Sequence, residues 1–224
     1  MDEQELAATR RSLHGVAELV LAGPQYRAAG RLRLRAVPGG FATTLAPGLR
    51  VDGVRVAGEE GAAVAIDGRT PRALGAALGV TAGRPEGAYG DGSGVGLDEA
   101  LAVDPGQAGV IAAALALGHD ALTAFAPAET PVLWPEHFDV AIRVGEVNFG
   151  VSPGDGFLGE PYAYVGVSAV PAGDAFWNAP FGAAVPLREL PDAAAVTGFF
   201  AEGGRLSPRP RSRAARPNGT TASA

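Results

Sequence analysis

The chain has 224 residues, of which 47% are hydrophobic, and this composition is that of a globular protein with a buried core. It has no cysteine, which excludes disulfides, thiolate catalysis and cysteine-based zinc sites, and all 18 basic residues are arginine. Residues 204–224 hold five arginines and no acids, so the remainder has 13 Arg against 24 Asp and Glu and a net charge of −11. A body this acidic repels phosphate backbones, so we do not expect nucleic acid as a partner.

The N-terminal segment predicts a helix over residues 3–21 that ends at Gly23-Pro24. His14 and Glu18 lie one turn apart on its flank, and we interpret them as an exposed side-chain pair rather than half of a metal site. The segment is acidic and does not resemble a signal peptide. No stretch approaches the roughly twenty apolar residues of a membrane span. We therefore expect a cytoplasmic protein with no membrane partner.

Residues 31–66 predict a β meander. Arg31 to Arg35 alternates arginine with leucine, which indicates a strand with its leucines in the core and its arginines outside. The arginine row is either a solvated sheet face or a surface that recognises carboxylate or phosphate groups. Proline and glycine pairs mark the turns that follow, and Asp52-Gly53 is either a tight turn or a bulge.

Two helical segments flank a glycine-rich stretch in the middle of the chain. Residues 71–78 predict a short helix, and residues 81–103 predict a mobile loop, a candidate lid. The motif at 104–107 predicts the start of a helix that runs to about Phe125. Asp104 is its expected N-cap residue, and Gln107 is placed to close a capping box.

Residues 138–152 predict a β hairpin that turns at Gly145-Glu146. The expected register pairs Ile142 with Phe149 and Val140 with Val151, and all four apolar side chains then share one face. The opposite face carries the polar residues His137, Asp139, Arg143, Asn148 and Ser152, with Asp139 across from Ser152. The hairpin therefore offers one side to a core and one polar side to a ligand.

Several kinds of chemistry are compatible with this polar face. Ser152 lies in a G-x-S-x-G sequence, but Pro153 has no N–H to donate to an oxyanion, so the esterase interpretation fails. A convergent triad of Ser152, His137 and Asp139 remains open geometrically. His137, Asp139 and Asp155 are also a candidate set of metal ligands, or of carboxylates and a histidine, for a hydrolase.

Aromatic residues concentrate in the same part of the chain. Nine of the fifteen fall between residues 134 and 181, and Tyr162 and Tyr164 share one strand face. They indicate either an aromatic core or the walls of a small-molecule pocket near Trp134 and Trp177. A closing helix is predicted over residues 191–202.

Three short motifs carry a resemblance to a known kind of protein. They are Phe138-Asp139-Val140-Ala141, the turn from Phe149 to Gly154, and Glu160-Pro161-Tyr162-Ala163-Tyr164. The chain resembles, over most of residues 10–202, uncharacterised actinobacterial proteins of a domain-of-unknown-function type. Its turn departs from their pattern, because Val151-Ser152 stands before the Pro-Gly pair. The resemblance implies a fold, but it implies no activity and no cofactor.

We predict an α+β fold: one domain over residues 1–203 with an antiparallel sheet in two halves and packed helices, followed by a disordered tail rich in Arg, Pro and Ser at 204–224. The leading functional hypothesis is a cytosolic small-molecule-binding protein with an aromatic-lined polar pocket around the 137–152 hairpin. The expected ligand-binding residues are Trp134, His137, Asp139, Arg143, Asn148, Ser152 and Trp177. The alternatives are the hydrolase and a protein-interaction module whose basic tail docks an acidic partner.

Overall fold

The computed structural model describes residues 2–58 and 61–207. Within them, ten strands form one antiparallel sheet in the order β10-β9-β8-β7-β6-β1-β2-β3-β4-β5. The strands are β1 Leu34–Val37, β2 Gly40–Thr43, β3 Arg50–Asp52, β4 Arg55–Ala57, β5 Val64–Ala65, β6 Val132–Trp134, β7 Asp139–Val144, β8 Val147–Ser152, β9 Tyr162–Gly166 and β10 Gly182–Pro186. The helices are α1 Glu3–Gly15, α2 Gly23–Ala29, α3 Pro71–Ala77, α4 Pro105–Phe125 and α5 Ala193–Leu206, with a π-helical segment at Val16–Ala22 and a 3-10 turn at Leu187–Glu189. The α+β class predicted from the sequence is confirmed.

The two predicted halves of the sheet are consecutive blocks of the chain. Strands β1 to β5 form one meander and β6 to β10 form the other. They join where β1 pairs antiparallel with β6, at Leu34 and Leu133. The halves are therefore one continuous sheet rather than two.

The first meander largely follows its sequence pattern. β1 begins at Leu34 rather than at Arg31, but Leu34 is buried while Arg33 and Arg35 are exposed, as the alternation predicts. β3 and β4 form a hairpin in which Gly53 has a φ of 54°, so Asp52-Gly53 is a tight turn.

Helix α4 is the central helix of the fold, and its predicted start and end are confirmed. The Asp104 carboxylate accepts a hydrogen bond from the Gln107 backbone N–H at 2.9 Å. The predicted capping box is wrong, because the Asp104 N–H donates to Thr9 Oγ1 of α1 at 3.0 Å. Within the described residues, the buried Gln107 Oε1 has no partner.

α4 also corrects the expectation that no segment has the length and composition of a membrane span. Among the described residues it is the one helix that is long and apolar enough to cross a membrane on those two criteria. It packs on β7 and β8 and against α1 and α5. The core helix of a globular protein meets the same criteria, so they are weak evidence of a membrane span.

The close approach of α4 to the sheet depends on Gly118. A Cβ atom there would lie 2.6 Å from Val140 Cγ1 and 2.7 Å from Val151 Cβ. We expect Gly118→Ala to lower the free energy of unfolding by about 1–3 kcal/mol through overpacking. Gly109→Ala, in the same helix with nothing within 4 Å of the added Cβ, should instead raise it by up to about 1 kcal/mol. Urea unfolding measures both, and equal effects would contradict the tight contact at Gly118.

The N-terminal helical segment continues past its predicted end. The π-helical turn at Val16–Ala22 leads into α2, and the segment ends at Gly30, which has a φ of 65°. Pro24 lies in the first turn of α2, after the change of helical pitch, where a missing N–H is tolerated. A Cβ on Gly23 would lie 1.7 Å from the Gly83 carbonyl oxygen. This glycine therefore admits a crossing loop and does not stop the helix.

His14 and Glu18 are not the exposed pair that their spacing suggests. Glu18 is 1% exposed. Its carboxylate accepts hydrogen bonds from Arg84 Nε at 2.9 Å, from the Ser93 N–H at 3.0 Å and from Ser93 Oγ at 2.6 Å. Glu18 thus serves as the buried anchor of the glycine-rich loop.

The glycine-rich loop over residues 81–103 has no helix or strand, as predicted. The Gly83 N–H donates to the Leu19 carbonyl at 2.8 Å, and the Ala102 N–H donates to Ser12 Oγ at 3.0 Å. The loop is therefore attached along the N-terminal helical segment. A role as a lid stays a prediction.

The C-terminal helix also extends beyond its predicted end. α5 runs to Leu206, and a Cβ on Gly203 would lie 2.6 Å from Val165 Cγ2. Gly203 therefore allows α5 to pack on β9, and the start of the tail predicted at residue 204 is wrong. The predicted disorder of residues 208–224 and their docking role lie outside the described residues.

Candidate functional site

The second half of the sheet has one apolar face and one polar face, as the hairpin pattern predicts. The register is confirmed: Ile142 pairs with Phe149, and Val140 pairs with Val151. All four side chains are buried, and α4 packs on this face. The same register places Asp139 opposite Ser152 on the other face.

A cavity of about 760 Å³ lies between α1 and this polar face. Its size is in the range of small-molecule sites, roughly 300–1,000 Å³. The side chains that define its chemistry are Arg10, Arg11 and His14 from α1, Glu136 and His137 from the turn before β7, Asp139, Asn148, Ser152, Tyr162 and Tyr164 from the strands, and Asp155 and Phe181 from loops. Four predicted ligand-binding residues, His137, Asp139, Asn148 and Ser152, thus share one cavity.

Asp139 is the chemically unusual residue of the cavity. It is 6% exposed, and its Oδ2 accepts a hydrogen bond from the Tyr164 hydroxyl. Within the described residues, its Oδ1 has no partner. Burial raises the pKa of Asp139 to about 6, and the hydrogen bond from Tyr164 limits that rise. A buried carboxylate oxygen without a donor is costly, and the residue that carries this one lines a cavity.

The contact between Tyr164 and Asp139 crosses a strand, and Gly150 makes room for it. β8 lies between β7 and β9, and its Gly150 pairs with Ala141 on one side and Tyr164 on the other. A Cβ on Gly150 would lie 2.6 Å from the Tyr164 ring and hydroxyl. The ring therefore lies over the bare backbone of β8. Burial and the nearby Asp139 charge raise the pKa of Tyr164 well above its usual value, which keeps the hydroxyl a donor.

Asp155 is part of a turn and does not join a metal site. Its Oδ1 accepts from the Phe157 N–H at 2.8 Å and the Leu158 N–H at 3.1 Å, and its Oδ2 accepts from the Tyr162 hydroxyl at 2.6 Å. The side chain of His137 is 66% exposed beside Glu136. In residues 2–58 and 61–207, no group of three His, Asp or Glu side chains is arranged to hold a metal ion. The predicted metal set of His137, Asp139 and Asp155 is therefore not assembled in this structure.

The turn before β7 explains why His137 does not lie on a strand. Phe138 has a φ of 55°, and its N–H donates to the Trp134 carbonyl at 2.7 Å, which closes a tight loop between β6 and β7. This conformation is uncommon for a bulky residue. It turns the Phe138 ring into the core, 5.4 Å from both the Phe41 ring and the His14 ring. The predicted strand therefore begins one residue late, at Asp139.

Two residues that sequence reasoning left out of the site come from α1. Arg10 Nη1 donates to the Gly159 carbonyl at 2.8 Å, and burial lowers the pKa of Arg10. His14 Nε2 lies 2.8 Å from the Pro135 carbonyl oxygen, and burial lowers the pKa of His14, which favours a neutral imidazole at pH 7. One face of α1 carries Ala7, Arg10 and His14 at helical spacing. This spacing was the sequence feature that could have grouped them on one side of the helix.

A second cavity of about 500 Å³ lies further along the polar face. Trp134 and Arg143 line it, and Arg33 lies over the Trp134 ring at 5.6 Å. It shares Asp139 and Tyr164 with the first cavity. Two of the predicted ligand-binding residues are thus in a neighbouring compartment.

Trp177 is not in either cavity, so its predicted place beside Trp134 is wrong. Its ring packs edge-to-face on Phe176 at 5.0 Å, and Phe176 packs on Phe199 of α5. Trp177 therefore belongs to the apolar side of the sheet. The sequence could not show this, because residues 174–181 form a loop without a periodic pattern.

Ser152 is positioned as a turn residue. Its Oγ accepts a hydrogen bond from the Gly154 N–H at 3.1 Å, and within the described residues it bonds to no histidine. No helix follows it directly. The triad with His137 and Asp139 is therefore not assembled in this structure.

Comparison of the chain with family models, with curated proteins and with solved structures gives no match. The resemblance seen in the sequence motifs thus stays a prediction.

Proposed function

We propose that this protein binds a small organic molecule in the 760 Å³ cavity between α1 and the polar face of the sheet. The observation that carries the proposal is Asp139: a buried carboxylate with an unpartnered oxygen lines this cavity. Native proteins seldom leave such an atom without a donor, and ligands are one way of supplying it.

The remaining lining supports a binding site. Tyr162, Tyr164 and Phe181 give it aromatic walls, with the two tyrosine rings 6.3 Å apart and Phe181 6.2 Å from Tyr164. Arg10 from α1 and Asn148 from β8 add polar groups. Aromatic walls with a few convergent polar groups are typical of small-molecule pockets.

The test uses ligand-induced stabilisation and a variant that fills the cavity. Purified protein is screened by thermal unfolding against primary amines, monosaccharides, nucleosides and carboxylic acids. A specific ligand at a hundred times its Kd should stabilise the protein by roughly 2.7 kcal/mol. Ala7, exposed on α1, lines the cavity, so Ala7→Phe should block binding without removing a polar group.

Ala8→Phe is the matched control, because Ala8 is the next exposed residue of α1 and lies outside the cavity lining. Support for the proposal is a ligand whose binding is lost in Ala7→Phe and kept in Ala8→Phe. If no class of compound stabilises the protein, or if Ala7→Phe binds normally, the cavity is not the site and the proposal fails.

A further inference from the structure

We infer that the ligand of this cavity is an organic cation, whose protonated amine is held by the free Oδ1 of Asp139 and the hydroxyl oxygen of Tyr164. The inference rests on the proposed function, because it names the ligand class of the same site. It follows from the charge balance, from the acceptors that converge in the cavity and from its aromatic walls.

The charge of the cavity favours a cation. Its lining contains Arg10 and Arg11 against Glu136, Asp139 and Asp155. Arg11 is already paired with Glu99, which lies outside the lining. One arginine therefore faces three carboxylates, a net charge of −2 with the histidines neutral. An anionic ligand would be repelled at the Asp139 end.

The acceptors near Asp139 match the donors of an ammonium group. The Tyr164 hydroxyl gives its proton to Asp139 Oδ2, so its oxygen keeps lone pairs to accept. Asp139 Oδ1 is a second acceptor, and it is buried and unpartnered within the described residues. An ammonium has three donors and cancels the carboxylate charge, whereas an alcohol has one donor and leaves the charge uncompensated.

The aromatic walls and the lack of a metal site support the same ligand class. The rings of Tyr162 and Tyr164 line the same cavity as Asp139, and the face of a tyrosine ring attracts cations. Protein metal sites typically use three or more His, Asp or Glu side chains, and the described part of the chain has no such group arranged to hold an ion. An organic ammonium needs only the carboxylate and the aromatic surroundings.

Binding should depend on pH because a proton competes with the ligand for Asp139. The titratable and charged groups that line the first cavity with Asp139 are Glu136 and His137 from the turn, Tyr162 and Tyr164 from β9, Asp155 from the loop between β8 and β9, and Arg10, Arg11 and His14 from α1. Asp139 also lines the second cavity, whose further charged groups are Arg33, Glu129 and Arg143. Burial raises the pKa of Asp139 to about 6, so the carboxylate is mostly ionised at pH 7.5 and mostly protonated at pH 5. The Kd of an amine should rise about tenfold between these two values.

The experiment compares probes of equal shape and different charge by isothermal titration. The pairs are 2-phenylethylamine with 2-phenylethanol and cyclohexylamine with cyclohexanol, each measured at pH 7.5 and pH 5. We expect the amine of at least one pair to bind, and its alcohol to bind at least tenfold more weakly. Asp139→Asn, which keeps the shape of the side chain, should weaken amine binding at least tenfold and abolish the pH dependence.

Two controls separate this inference from the proposed function. Asp120→Asn removes an exposed carboxylate on α4 and should bind like the wild type. Tyr164→Phe removes one acceptor and leaves Asp139 Oδ1 in place, so it should weaken the binding of the amine. If alcohols bind as well as amines, or if sugars and nucleosides bind where amines do not, the inference of a cationic ligand fails. The proposal that the cavity binds a small molecule is then still supported. If no probe of any class binds, both proposals fail.

Discussion

Replacing Asp139 with asparagine should stabilise the protein at pH 8, by about 2 kcal/mol. Asp139 is buried, and its pKa in the folded protein is about 6 instead of its ordinary 3.8. A tenfold change in proton affinity corresponds to about 1.4 kcal/mol, so ionised Asp139 costs the folded state about 3 kcal/mol. The amide removes this cost. However, it buries an N–H group without an acceptor if its nitrogen occupies the position of Oδ1, and this reduces the gain in stability by about 1 kcal/mol.

The sign of the pH dependence follows from the raised pKa. Below about pH 4 the carboxyl is protonated in both the folded and the unfolded chain, and it adds nothing to the pH dependence. Between pH 4 and 6 the folded state holds a proton that the unfolded state has lost, so stability falls as the pH rises. Above pH 6 the full cost is present. The advantage of Asp139→Asn should therefore grow from pH 4 to pH 6 and then stay constant.

Urea unfolding at pH 4, 6 and 8 measures this prediction, and Asp120→Asn on the exposed side of α4 is its control. For a chain of this size, 2 kcal/mol corresponds to a rise of roughly 4–8 °C in the midpoint of thermal unfolding. A variant that is less stable than the wild type at pH 8 would show that the carboxylate contributes to folding. A destabilising residue in a cavity lining is consistent with a role in ligand binding, because active and binding sites retain such residues at the expense of stability.

The hairpin was the part of the site that the sequence could predict. A one-residue slip would carry Val140 and Ile142 to the wrong face, so the alternation fixes the register and, with it, the polar face of Asp139 and Ser152. The same reasoning predicted that Tyr162 and Tyr164 share one face. Period-two patterns therefore identified the sheet side of the cavity.

The helix side of the cavity could not be predicted in the same way. Arg10 and His14 enter the site because α1, which packs against α4, borders the cavity, and no local pattern specifies which part of the fold a helix faces. Gly23 and Gly203 were misjudged for a related reason. In sequence they suggest helix ends, but each admits a close neighbour, the Gly83 carbonyl in one case and Val165 in the other. Tertiary contacts decided all four positions.

Replacing Arg84 with leucine should lower the free energy of unfolding by about 3 kcal/mol. Glu18 is 1% exposed, and its ion pair with Arg84 is its only charged contact within the described residues. Without the guanidinium, the carboxylate keeps only the two hydrogen bonds from Ser93. Removing one partner of a buried pair costs about 3–5 kcal/mol, and the lower figure applies because the side chain of Arg84 is 49% exposed.

The loss should be local as well as global. Ser93 lines the cavity and donates two hydrogen bonds to Glu18. Val95 packs closely against Gly15, because a Cβ added to Gly15 would lie 2.9 Å from Val95 Cβ. Hydrogen exchange at the Ser93 and Val95 amides should therefore accelerate more than exchange in α4. Arg72→Leu is the matched control, because the Arg72–Asp98 pair belongs to the same region and both partners are exposed. It should cost under about 1 kcal/mol.

A double variant distinguishes two causes of the destabilisation by Arg84→Leu, an unpaired buried charge and a loss of packing. If Arg84→Leu destabilises the protein because Glu18 is left buried without its cation, then Glu18→Leu in the same chain should restore stability rather than reduce it further. We expect the double variant to recover at least half of the loss, since two apolar side chains can replace a buried ion pair at little cost. An additive loss would mean that each side chain contributes through its own contacts. In that case the loop would be held by packing, and Glu18 would not be its anchor.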